Sequence, residues 1–123
     1  MAELLYKDLT YQIRSVLFEV YNKLGPGFRE ETYKLATLAE MRRRKMKTAR
    51  EVEIEVKFKG EAIDKYRLDI VVDDKVILEL KAIEELHPRH KAQLLSYLKA
   101  SGLRLGLLVN FGSDKLEIIR IIN

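Results

Sequence analysis

The chain has 123 residues, 47% of them hydrophobic and 34% charged, which suits a single domain over residues 1–123 with one core and leaves no room for a second. It has no cysteine, which excludes disulfide scaffolds, thiol catalysis and thiolate-bound zinc, and its two histidines, His87 and His90, are too few for a histidine-rich metal site. A formal charge of +4 and a pI near 9.3 permit a polyanionic partner without demanding one.

Leu5, Leu9, Ile13, Val16, Leu17, Val20 and Leu24 recur at helical spacing, so an amphipathic helix is expected over residues 3–24, stopped by Gly25-Pro26-Gly27. A second helix is expected from Phe28 to Met46, with Leu35, Leu38 and Ala39 inward. Six of the ten residues from Met41 to Arg50 are Lys or Arg. The run Arg42, Arg43, Arg44, Lys45 and Lys47 either complements the helix dipole or gathers the phosphates of a nucleic acid. Val52, Ile54, Val56 and Phe58 alternate with charged residues as a half-buried strand, and Lys59-Gly60-Glu61 turns the chain.

The next stretch, Arg67 to Ala82, carries the chemistry. Tyr66, Leu68, Ile70 and Val72 alternate along one strand, and Val76, Leu78 and Leu80 along the next, so each has one apolar face. A three-residue loop, Asp73-Asp74-Lys75, pairs Val72 with Val76 and sets Asp69 opposite Glu79. Opposed carboxylates repel by roughly 0.2–1 kcal/mol per pair. A Mg²⁺ ion, which favours one or two carboxylates with waters and phosphate oxygens, would offset that, and Lys81 projects from the same face.

Pro88 opens a helix over residues 88–101 that Gly102 closes, and Leu105 to Asn110 reads as a strand buried on both faces. Strand, helix and strand then form a crossover to a parallel neighbour, and a last strand runs from Leu116 to Ile122. His90, Gln93 and Tyr97 share one face of the crossover helix. No apolar run approaches the ~20 residues of a membrane span, and the N-terminus lacks signal-peptide order, so a soluble, cytoplasmic protein without a membrane partner is expected.

Taken together, Gly27-Phe-Arg-Glu30-Glu-Thr-Tyr33, Asp69, Glu79-Leu80-Lys81 and Gln93-Leu-Leu-Ser-Tyr97 resemble the GxxExxY proteins, a branch of the PD-(D/E)XK nuclease superfamily. The resemblance extends over nearly the whole chain and implies an α/β, restriction-endonuclease-like core: a central mixed sheet, made of a three-stranded antiparallel meander and a parallel strand after a crossover helix, flanked by helices. It implies that Asp69 and Glu79 are metal ligands, with Glu30 and the Leu80 carbonyl adding oxygens. Lys81 would serve the attacking water and the transition state, and Gln93 and Tyr97 would orient the site and the nucleic-acid strand. Leu68 stands where the superfamily's motif names proline.

The function so implied is a Mg²⁺-dependent nuclease, with Mn²⁺ able to substitute, acting on nucleic acid, DNA in preference to RNA. So small a core is expected to need a homodimer or a partner protein to grip a duplex. The alternative is a catalytically silent nucleic-acid-binding or protein-interaction module on the same fold.

Overall fold

The computed structural model describes residues 5–123. Helix α1 spans Lys7–Leu24 and buries Ile13, Val16, Leu17 and Val20, the expected stripe. The first positions assigned to that helix lie outside the described residues, and Tyr6 precedes it in a left-handed conformation (φ 54°). The Gly25 N–H donates to the Tyr21 carbonyl at 2.8 Å and ends the helix.

Helix α2, Glu30–Arg43, is shorter than its pattern implied at both ends. Gly27 adopts φ 109°, which only glycine takes without strain, so the chain is still turning at Phe28. The Tyr33 hydroxyl holds this turn, donating to the Gly25 carbonyl at 2.5 Å and accepting from the Phe28 N–H. Its ring stacks on Phe111 at 4.4 Å between centroids. That anchor sets the buried stripe of α2 as Tyr33, Lys34, Thr37, Leu38 and Met41. Leu35, assigned inward from the sequence, is instead half exposed, because the inward face begins two residues earlier. At the other end Arg44 caps the helix and Lys45 turns left-handed (φ 59°), dividing the basic run between helix, cap and turn.

Five strands follow: β1 Thr48–Phe58, β2 Glu61–Val72, β3 Val76–Lys81, β4 Leu105–Asn110 and β5 Glu117–Ile122, in the spatial order β1-β2-β3-β4-β5. All neighbours are antiparallel except β3 and β4. That parallel pair is joined by α3, Pro88–Ser101, whose limits are those expected, with Gly102 in the left-handed C-cap (φ 78°). Val72 pairs with Val76, and Asp73 and Asp74 take φ of 53° and 55° in the tight turn between them, so the expected loop length and register are those found.

The sheet has a core on each side. Against α1 and α2 pack Ile70, Val72, Val76, Leu78, Leu80, Leu107 and Val109. Against α3 pack Leu68, Val71, Ile77 and Leu108, with Val52 and Ile54. Leu68 and Ile70 therefore lie on opposite faces, which corrects the unbroken alternation expected from Tyr66 to Val72. The alternation slips at Asp69: pairs Arg50–Ile70 and Val52–Leu68 bracket Glu51 and Asp69, and Glu51 takes φ 50°. Beyond that point β1 and β2 continue as a two-stranded arm, on which Phe58 and Ile63 are exposed; Phe58 was expected to be half-buried. An edge ribbon with no layer over its tip cannot cover them.

Candidate active site at the strand fork

Antiparallel pairing of β2 with β3 stops at Ile70–Leu78, although each strand continues. β3 keeps its parallel partner β4 out to Lys81–Asn110, while β2 diverges into the arm. Two acidic side chains occupy the resulting fork. The Asp69 carboxylate accepts the Leu80 N–H at 3.0 Å, and Glu79 Oε1 accepts the Asp69 N–H at 3.3 Å. Carboxylates thus satisfy two backbone donors that a continuing ladder would have bonded, and this keeps the strands apart.

Glu79 is only 6% exposed. Burial, with the charge of Asp69 adding to it, pushes its carboxyl up to about 7, against the pull of the Asp69 N–H and Lys81. Glu30, the first residue of α2, is also raised, by partial burial and then by Asp69, with Lys81 and Lys34 acting oppositely. These couplings place Glu30, Asp69, Glu79 and Lys81 in one electrostatic cluster, drawn from α2, β2 and β3. The sequence reading missed its fifth member. The Lys34 ammonium meets Asp69 Oδ1 at 3.1 Å, with side chains 11% and 21% exposed. Burial lowers the affinity of Lys34 for its proton, but the hydrogen bond and charge of Asp69 outweigh burial and leave its pKa raised. Its signal was a lysine one turn after Glu30, inside what proved to be the buried stripe.

Hydrogen bonds at the end of β3 fix the backbone around Lys81. The Phe111 N–H donates to the Lys81 carbonyl at 2.9 Å, and the buried Asn110 amide bonds both the N–H and the C=O of Ile83. Gly112 passes so close that a Cβ there would lie 2.3 Å from Ile83 N. On α3, Tyr97 is largely buried, and its hydroxyl is raised first by burial and next by Glu79. His90 lies within the field of Lys81, though its depressed pKa owes more to desolvation. Gln93 is exposed one turn before Tyr97.

The basic run is elsewhere. Glu30 opens α2 and Arg43 ends it, a separation of about 20 Å at 1.5 Å per residue. Arg44 is tied to Glu40 and to Ser15 Oγ, and Lys47 to Asp74 in the β2–β3 turn; Arg42, Arg43 and Lys45 are exposed.

Among the described residues, no three His, Cys, Asp or Glu side chains converge as a ready cage for a metal ion. The paired carboxylates are nevertheless the hard oxygen donors that Mg²⁺ and Mn²⁺ select, and Mg²⁺ seldom needs more than two from the protein. Lys34 occupies one oxygen of Asp69 and would have to share that carboxylate with an ion, but the oxygen donors present fit such an ion.

The family model of the PD-(D/E)XK nuclease superfamily matches residues 7–121, and the chain belongs to that superfamily. The five-stranded mixed sheet between helices is its restriction-endonuclease-like fold. A solved structure, "Crystal structure of SSO0001", superposes with a TM-score of 0.57 at 22% identity, over 76% of this chain and 49% of that one. The chain thus spans about half the length of that protein, and the likeness is one of fold. No curated protein matches the chain. Among the described residues, no helix is long and apolar enough to cross a membrane.

Proposed function

We propose that the chain is a cytoplasmic, divalent-metal-dependent nuclease, folded as one domain, that hydrolyses phosphodiester bonds at the fork, with DNA favoured over RNA. The observation that carries this reading is the fork itself: two carboxylates, one of them buried and poised near neutrality, in a superfamily of nucleases. Asp69 and Glu79 would hold the ion, Mg²⁺ or Mn²⁺, with Glu30 and the Leu80 carbonyl as further oxygens. When bound, a divalent cation acidifies water and neutralises phosphate charge.

The remaining work falls to the chain's own residues. The hydrogen bonds to Leu80 and Asp69 hold both carboxylates in place, so they need not reorganise as charge develops. Lys81, at the end of β3, orients the attacking water and opposes the negative charge that grows on the phosphate. Lys34, bonded to Asp69 in the metal-free protein, would give up that oxygen to a bound cation and would supply a second positive group beside it. Gln93 and Tyr97, on the α3 face, orient the strand being cut.

The GxxExxY branch is supported by what each motif residue does. Gly27 supplies the positive φ, Glu30 opens α2 beside the acids, and Tyr33 pins the turn. One observation favours the silent alternative: Lys34 already neutralises Asp69, so the fork is stable without an ion. Calorimetric titration of Mg²⁺ or Mn²⁺ into the wild type and Asp69→Ala, beside cleavage assays on single- and double-stranded DNA and RNA, separates the two. Metal binding lost in the variant together with metal-dependent cleavage is the expected result. Salt-sensitive nucleic-acid binding with no metal-dependent product would establish the silent module instead.

A further inference from the structure

Beside the fork, the β1–β2 arm and α3 enclose an open cavity of about 500 Å³, within the usual range of ligand sites. Its walls include Tyr66 and Lys57 from the arm, and Gln93, Ser96, Tyr97 and Lys99 from α3. The Tyr66 and Tyr97 rings lie 5.5 Å apart at 46°; Tyr97 is buried, while Tyr66 leaves 43% of its surface open. No Asp or Glu lines the cavity, and neither Lys57 nor Lys99 has an ion-pair partner among the described residues. Both lysines are exposed.

We propose that this cavity receives an unpaired nucleobase next to the phosphate at the fork, so that the substrate is single-stranded nucleic acid. This rests on reading the fork as the phosphodiester site. Tyr66 is the stacking platform, held at its angle by Tyr97 behind it. The Gln93 amide meets the edge of the base, and Lys57 and Lys99 take the flanking phosphates. A single strand offers an open π-face and flexible phosphates to such a surface, whereas a duplex keeps its bases stacked inside and would have to be unpaired first. The cavity is continuous with the chemistry: Gln93 and Tyr97 wall it, and Tyr97 is close enough to Glu79 to feel its charge.

The test is fluorescence anisotropy of a short, mixed-sequence, labelled single strand and of its blunt duplex, in EDTA at fixed low salt. Tyr66→Ala is expected to weaken single-strand binding about tenfold or more, the loss of one base–aromatic stack, and to leave duplex binding unchanged. Tyr66→Phe, which keeps the ring, retains wild-type affinity. Lys57→Ala/Lys99→Ala, altered outside the core, lowers the salt dependence of single-strand binding by about 1.4, as expected for two phosphate contacts. Wild-type single-strand affinity in Tyr66→Ala, or an equal loss on duplex, overturns the proposal. Parallel cleavage assays keep the two readings apart. Metal-dependent cleavage indifferent to Tyr66 removes the base pocket and leaves the nuclease; Tyr66-dependent binding without cleavage in any divalent ion does the reverse.

Discussion

The two ends of the β2–β3 hairpin carry the same chemistry and put it to different ends. At the turn, Asp73 and Asp74 face Lys75 and Lys47 across ion pairs whose side chains are about half exposed or more. At the fork, Asp69, beside Glu79, pairs with Lys34, whose side chain is only 11% exposed. In water such pairs are screened and exchangeable. Where water is excluded, Glu79 is pushed up to about 7, by burial and then by Asp69. Burial, far more than residue type, separates a solvated turn from a site that can hold an ion.

The largest effects are therefore expected at the fork. Asp69→Ala or Glu79→Gln should abolish divalent-ion binding in calorimetry and lower cleavage by about a thousandfold or more. Lys81→Ala should cost about 10²–10³ in cleavage rate while the ion still binds, and full activity in that variant would sink its role. Lys34→Met should act in two directions. Without metal it strips Asp69 of its bonded ammonium and leaves Lys81 as the remaining cation of the cluster, destabilising the fold by roughly 3 kcal/mol, the low end for breaking a buried pair. With metal it should tighten divalent binding, because the competing ammonium is gone; unchanged affinity would mean that Lys34 and the ion do not share Asp69.

The pH dependence follows from the same burial. In the metal-free protein Glu79 holds its proton to about 7, well above the unfolded value, so the folded state binds more protons across that interval. Its stability should fall as pH rises from about 4.5 to 7, the reverse of an ordinary ion-paired carboxylate. Glu30, also raised, adds to the same slope. Ion binding near pH 6 should release protons, read as a heat that varies with the ionisation enthalpy of the buffer. A flat melting temperature over this range would show that the fork is wetter than its geometry indicates.

Much of this was legible in the sequence. Period-2 and helical patterns, the Pro88 and Gly102 signals and the acidic three-residue loop located the elements. The loop length set the register from Val72–Val76 to Ile70–Leu78, one pair short of the expected Asp69–Glu79 pair, whose residues meet instead through a side chain. The slip at Asp69 was not legible, because an alternating pattern carries no mark of the residue where two strands part. Lys34 was hidden for a related reason. The inward face of α2 is set by the Tyr33 hydroxyl at Gly25 and its ring on Phe111, contacts between segments that periodicity cannot register. The tyrosine-lined cavity needed the arm and α3 placed side by side, and the basic run stood out by composition yet lies a helix length from the acids. On the reading that these residues gather phosphates at a distance from the chemistry, Arg42→Ala/Arg43→Ala/Lys45→Ala should raise KM and flatten its salt dependence, with kcat within about twofold.

The smallest effect belongs to the turn. Asp74 sits at φ 55° and Asp73 at φ 53°, where aspartate and asparagine are tolerated and β-branched residues are not. Asp74→Asn keeps that tolerance while removing the charge that faces Lys47, and both side chains are largely in solvent. Its melting temperature should match the wild type at low and at high salt. Asp74→Val, which removes the same charge but puts a β-branched side chain at positive φ, should melt lower, because the backbone, and not the ion pair, is what the turn requires. If Asp74→Asn instead lost as much stability as Lys34→Met, ion pairs at the two ends would be equivalent, and burial would no longer explain why only one of them forms a site.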